Sequence, residues 1–325
     1  MSNKHRPRLH AYVWPLAAAV ALATLISTDR AAARSSYRET TAQDSAGPLL
    51  VMNAASVTQP MKAVLDSFAA RTNMRYALEP GASLEIARRV TELHREPDVI
   101  VLADPEVFPQ LLMPAYTNWY ALFGRNRIVL AYTAKSRGAA EINAQNWRTI
   151  IQRPGVETGR ADPNTDPSGY RTLLTFQLAE QFYHEPGLGK RLLAAAPERN
   201  VRPREADQVG LLQTHELDYI WTYQNLADND KLKYVQLPDA IDLGAPADSS
   251  IYAHASTRVV GKRPGDSLTV RGAPILFAVS SGRTAPHAAA AKRFIDYMLS
   301  ADGQRILRGQ HFDALAKPIT VGTRP

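Results

Sequence analysis

The chain has no cysteine among its 325 residues. That absence excludes structural disulfides, thiol catalysis, Cys-ligated zinc and the lipidated cysteine that tethers many exported proteins to a membrane. Nor is there a second long apolar run: beyond residue 33 no stretch approaches the roughly 20 residues that a membrane span requires. No block of Lys and Arg with interleaved aromatics occurs, so nucleic acid is not an expected partner. The histidines beyond residue 33, His94, His184, His215, His254, His287 and His311, show no H-x-x-x-H or similar spacing, which argues against a transition-metal site. Ser168 lies in D-P-S-G-Y and not in the G-x-S-x-G elbow of a hydrolase, and no nucleophile paired with a base is readable. The chain is therefore not expected to be an enzyme.

What is present begins with an export signal. Lys4, Arg6 and Arg8 precede an apolar run from Tyr12 to Ile26, and Ala31-Ala32-Ala33 follow, so residues 1–33 have the charged, apolar and small-residue parts of a cleaved secretory peptide. Four cations against Asp29 give this segment +3 of the chain's net +7. The remainder is only mildly basic, which is compatible with an anionic ligand without requiring one. Residues 34–47 are rich in Ser, Thr, Ala and Arg without apolar periodicity and read as a flexible leader. A soluble exported protein is expected.

From Pro48 the pattern alternates. Leu49 to Ala54 reads as a buried strand, Thr58 to Arg71 as a helix, Met74 to Glu79 as a strand, Leu84 to Leu93 as a helix and Val99 to Ala103 as a strand. Arg127 to Thr133, Leu217 to Thr222, Lys233 to Gln236, Ser250 to Val259 and Ile275 to Val279 are further expected strands. Expected helices are Ala144 to Gln152, Gly169 to Tyr183, Arg204 to Glu216, Pro286 to Ser300 and Gln304 to Gln310. Alternating strand and helix predicts a parallel α/β sheet. The order fits two α/β lobes, discontinuous in sequence, residues 48–130 plus 250–325 and residues 131–249, joined by extended crossovers near Ile128 to Thr133 and Ser250 to Val259. Ligands of open α/β sheets sit beyond the carboxyl ends of the strands, where helix N-termini converge.

Three loops carry the candidate site. After the first strand comes "NAASVTQ", in which Ser56 and Gln59 form an S-x-x-Q capping box. After the second comes "EPGASLEIARR", with Gly81 for close backbone approach and Ser83 at a helix start. The third is "ADPNTDPSGYR", in which Asp166 suits an N-cap and Pro167 the first helical position. A helix start is also an anion site, because its free N–H groups and dipole favour negative charge. Asp104 in "LADPE" ends a strand and is expected to cap a helix starting at Pro105. Trp119, Tyr120, Trp221 and Tyr223 are expected in the core or at its rim.

The blocks "LLVMNAASV", "GASLEIARRVTEL", "DVIVLAD", "LMPAYTNWYALFGRNRIVLAYTAKS", "EINAQNW", "DPNTDPSGYRTLLTFQLAE" and "YVQLPDAIDLG" resemble, in order, those of the tungstate/molybdate-binding proteins of ABC importers. The resemblance covers roughly residues 49 to 310. It implies a two-lobe periplasmic-binding-protein fold of type II with a two-strand hinge, a monomer in the periplasm, no cofactor, a molybdate or tungstate ligand and an ABC permease as partner. Position by position, it implies ligand contacts at Ala55, Ser56, Ser83, Asp166, Ser168 and Thr222. The first loop departs from the family's Ala-Gly-Ser, Ser168 stands where Cys is usual, and Thr222 stands where a second carboxylate is expected. Two arrangements are thereby left open: a six-coordinate metal centre bonded directly by Asp166, or a four-coordinate oxyanion held by hydrogen bonds with Asp166 as a helix cap. Sulfate, phosphate or an organic acid as ligand, or a sensor role without a transporter, are the alternatives.

Overall fold

A computed structural model describes residues 47–261 and 265–324. The expected signal peptide and nearly all of the leader lie outside these residues. From Pro48 onward the chain forms one compact unit built on two mixed α/β lobes. The first sheet has the order β13-β4-β12-β3-β1-β2 and the second β7-β6-β8-β5-β9. In chain order the first sheet is β1 (Leu49–Ala54), β2 (Tyr76–Gly81), β3 (Val99–Leu102), β4 (Trp119–Arg125), β12 (Leu276–Ser281) and β13 (Asp313–Gly322). The second is β5 (Ile128–Tyr132), β6 (Thr158–Ala161), β7 (Val201–Arg202), β8 (Tyr219–Tyr223) and β9 (Lys233–Gln236).

The first lobe begins as the alternating pattern predicts. β1 pairs in parallel with β2 and β3, and helices α1 (Thr58–Thr72) and α2 (Ser83–Thr91) cover the connections. The runs Leu49–Ala54 and Val99–Leu102 are almost wholly buried, as strands covered on both faces must be. β12 and β13 return antiparallel to close the sheet on β4. In the second lobe, helix α3 (Trp147–Ile151) precedes β6, α4 (Pro167–Phe182) follows it, α5 (Leu188–Ala195) packs on α4, and α6 (Asp207–Gln213) and α7 (Gln224–Asn229) flank β8.

The crossings between lobes differ from expectation. Ile128 to Thr133 does not run between lobes; Ile128–Tyr132 is β5, paired on one side with β8 and on the other with β9, because an apolar run of this kind needs both faces covered. The outward crossing is the step from β4 to β5 at Asn126 and Arg127. There Asn126 N–H donates to Ile275 O (3.1 Å), and Ile275 N–H to Leu243 O (2.8 Å), so the return passes immediately before β12. Ser250 to Val259 divides into a turn of helix, Ser249–Tyr252, and β10 (Ser256–Val260), which pairs only with β11 (Ser267–Arg271). That hairpin lies on α4, where Gln177 exchanges two hydrogen bonds with the Ser256 backbone.

One contact fixes the start of α4 against the strand that precedes it. A Cβ added at Gly169 would come within 2.6 Å of Ala161 O and of the Asp162 carbonyl carbon, both backbone. Alanine improves helix propensity by about 1 kcal/mol, whereas overpacking against neighbours that cannot move costs typically 1–3 kcal/mol. Steric cost wins: Gly169→Ala is expected to lose about 1–2 kcal/mol of stability in denaturant unfolding, and an unchanged or raised midpoint contradicts this packing.

Candidate functional site

The site forms where β1, β2, β3, β6 and β8 end and the lobes meet. Ser56, Ser83, Asp166, Ser168 and Thr222 are each at most 4% exposed, so the cleft is closed; Ala55 is half-buried. Hydrogen bonds cross it. Asn225 at the start of α7 donates to Ser56 O (2.6 Å), Leu84 N–H donates to Thr165 O (3.1 Å), and Arg88 reaches Asn164 O (2.9 Å).

Asp166 caps α4 as its position predicts: Oδ1 accepts from Ser168 N–H at 2.9 Å. Its other oxygen accepts from Glu205 N–H at 3.1 Å. One carboxylate thus holds together the start of α4 and the loop that enters α6, and two charge-assisted bonds of this kind contribute roughly 1.5–3 kcal/mol each. Each oxygen retains a lone pair for a ligand.

Neither serine caps its helix. The chain passes through a tight turn, Ala55–Val57, so the N-terminal residue flanking α1 is Val57 and no side chain caps it. The expected box of Ser56 with Gln59 is absent because this turn carries Ser56 inward, toward Glu205. At α2 the flanking residue is Ala82, whose N–H is satisfied by Glu85 (3.1 Å). Ser83 Oγ instead accepts from Ala103 N–H at 3.0 Å, which leaves its own proton for another acceptor.

Glu205 escapes detection in the sequence, where it is one acid near a helix start, a common complement to the helix dipole. In the structure it is 1% exposed and its Oε2 has no hydrogen-bond partner; Ser168 Oγ, fully buried, has none either. Burial and then the charge of Asp166 push the Glu205 carboxyl well above the usual range, opposed by the facing hydroxyls of Ser56 and Ser168 and by the Arg171 guanidinium. Asp166 is raised too, by burial, with the Ser168 and Glu205 N–H groups pulling the other way. A second carboxylate is therefore present, on the loop before α6. Thr222 is fully buried with an unpartnered Oγ1, but strand alternation turns it to the face opposite Tyr223, the side of Ile220 and the smaller core cluster. No described contact joins it to Asp166.

Tyr223 and Arg171 complete the surroundings. Burial raises the Tyr223 hydroxyl well above its ordinary value, Arg171 opposes this, and the charges of Glu205 and Asp166 add to it. Asp104 caps a turn and not the expected helix, since none starts at Pro105: Oδ1 accepts from Glu106 N–H (3.0 Å), and Oδ2 accepts from the Tyr170 hydroxyl of the other lobe. A groove of about 440 Å³ opens over Ser56, lined among others by Gln59, Arg204 and Asp207. The larger groove, about 660 Å³ around Trp119, Arg283 and Arg324, touches none of these residues. Among the described residues no cluster of His, Asp and Glu suits a simple metal cation.

Two lobes closed over buried hydroxyls and carboxylates, with the hinge at their base, define a two-lobe binding protein of the periplasmic type. The chain belongs to the bacterial extracellular solute-binding proteins, whose family pattern matches residues 49–313. It is 39% identical to an uncharacterized solute-binding protein of Petrotoga mobilis over 82% of this chain and 83% of that one. It is 30% identical to the molybdate/tungstate-binding protein of Thermococcus kodakarensis over 94% and 91% respectively. Among solved structures, the sulfate-binding protein SubI of Mycobacterium tuberculosis superposes with a TM-score of 0.59 at 13% identity, covering 83% of this chain and 87% of that one; at that identity the likeness concerns the fold.

The unpartnered carboxylate generates a prediction. Because the folded, empty site binds a proton at Glu205 more tightly than the unfolded chain does, this residue favours folding at low pH, and that contribution is lost as pH rises from the ordinary carboxylate value toward the raised one. Glu205→Gln removes the loss. Without ligand the variant is expected to melt above the wild type at about pH 8, with the gap closing toward about pH 5. Coincident melting curves across this range in circular dichroism contradict the assignment.

Proposed function

We propose that the chain is a periplasmic, monomeric, non-catalytic binding protein, exported through its N-terminal signal, that captures molybdate or tungstate for an ABC importer. The relatives named for these ligands support the anion class, and the zero cysteine count supports a protein free in the periplasm. The observation that carries the reading is the pair of buried carboxylates, Asp166 and Glu205, set beside the orphaned Ser168 hydroxyl.

Charge decides between candidate anions. Two ionised carboxylates in a closed cleft repel sulfate, which has no proton to donate to them, and hydrogen phosphate offers a single P–OH donor but no metal for carboxylate ligation. A molybdenum or tungsten centre accepts carboxylate oxygens as ligands, so the same two groups become attractive. With Glu205 supplying the second carboxylate, the six-coordinate arrangement is favoured over a four-coordinate one, and Asp166 serves as cap and ligand together. Ser56, Ser83, Ser168 and Tyr223 are then donors to the oxo groups, and the helix starts at α2 and α4 add their dipoles.

Calorimetry with molybdate, tungstate, sulfate and phosphate tests this. Tight binding of the first two is expected, with sulfate and phosphate weaker by at least about a hundredfold. Asp166→Asn keeps the helix cap and is expected to abolish tight tungstate binding. Sulfate or phosphate binding as tightly as tungstate, or an Asn variant of undiminished affinity, overturns the reading.

A further inference from the structure

Arg171 lies in the first turn of α4 and is 4% exposed. Its Nη1 donates to two acceptors at once, Tyr223 Oη in its own lobe (2.6 Å) and the carbonyl of Ala103 in the other lobe (2.6 Å). Its Nη2 stands 3.6 Å from Asp104 Oδ2, again across the cleft. The neighbouring Tyr170, 2% exposed, donates its hydroxyl proton to the same carboxylate. The Ala103 peptide group is used on both sides, its N–H bonded to Ser83 and its carbonyl to Arg171.

A guanidinium has donors only. The Tyr223 oxygen that accepts from it must therefore point its own proton elsewhere, and the same guanidinium ties this hydroxyl through Ala103 to Ser83, one of the hydroxyls of the candidate site. Burial keeps this phenol protonated. Ala103 and Asp104 belong to the first lobe, so the guanidinium that orients the tyrosine is itself seated across the two lobes. Asp104 supplies the buried counter-charge without which an Arg in this position is costly.

From this geometry we infer that Arg171 is a positioning residue: it fixes the Tyr223 hydroxyl as a donor toward the captured oxyanion, and the contacts of Ala103 and Asp104 tie that orientation to lobe closure. The inference rests on the oxyanion reading of the site. It assigns Arg171 no contact with the ligand. It also gives Asp104 a role in holding the lobes closed, so that Asp104→Asn shortens the lifetime of the bound state.

A double-mutant cycle tests it, with molybdate as the probe. Dissociation constants are measured by calorimetry for the wild type, Tyr223→Phe, Arg171→Lys, Arg171→Gln and the two doubles, each variant being checked for a cooperative melt. Lys keeps the charge beside Asp104 but has one nitrogen where Arg has a fork, so it carries the test should the uncharged Gln variant fail the melt check. Tyr223→Phe and the Arg171 variants are each expected to weaken binding roughly tenfold, and the doubles no more than about twofold beyond the weaker single, because both changes remove one interaction. Losses that multiply to about a hundredfold, or an Arg171 variant that binds as wild type does, overturn the inference. So does an unchanged molybdate release rate in Asp104→Asn, read by stopped flow against an expected rise of about tenfold. Failure of the wild type to bind either molybdate or tungstate is the separate result that removes the oxyanion reading itself.

Discussion

Asp166 is the group on which the arrangement depends. By accepting from Ser168 N–H with one oxygen and Glu205 N–H with the other, it sets the start of α4 and the approach to α6 at a fixed separation. That separation brings the Glu205 carboxylate and the Ser168 hydroxyl face to face. The cost is two acids buried together, which raises both carboxyls and is offset by the facing hydroxyls, the Ser168 and Glu205 N–H groups and the Arg171 guanidinium. Such strain persists at a binding site because the bound partner removes it. On the proposed reading, the partner that removes it is a Lewis-acidic metal centre carrying its own oxo groups.

The lobes are held closed by groups that are themselves buried on closing. Asn225 spans the base of the cleft, donating to Ser56 O while its own carbonyl accepts from Asn126 at the outward crossing. Tyr170 and Arg171 reach Asp104 and Ala103 from the second lobe. Each of these bonds joins the two lobes or the hinge between them. The hinge and the anion loops are thus linked by a continuous set of hydrogen bonds and not by packing alone, which is the requirement for a ligand to select one of two arrangements.

How much of this was legible in the sequence depends on the kind of signal. β1, from Leu49 to Ala54, and β9, from Lys233 to Gln236, agree residue for residue with expectation, because an apolar run in the one and a short run centred on Tyr234 and Val235 in the other are local patterns. The cap at Asp166 was legible for the same reason. β13 was not: Asp313–Gly322 contains Pro318 and is mostly exposed, as an edge strand tolerates, and its pairing with β4 makes it a strand. Ser56 and Ser83 both read as helix caps and both turned out one position displaced, with their hydroxyls turned to the cleft. Glu205 was the largest omission, because nothing in V-R-P-R-E-A-D distinguishes an acid that ends 1% exposed from one that faces water. The position examined for the missing carboxylate, Thr222, lies on the wrong face of β8, a distinction of one residue in a strand. What the sequence could not carry is the meeting of distant loops, which is tertiary by nature.

The central claim is that Asp166 and Glu205 bond directly to the captured metal. X-ray absorption at the tungsten edge of the tungstate complex tests it most directly. The account predicts six oxygen neighbours, four from the oxo groups and two at longer distance from the carboxylates, falling to five in Glu205→Gln. Four equivalent short distances in the wild-type complex would contradict it.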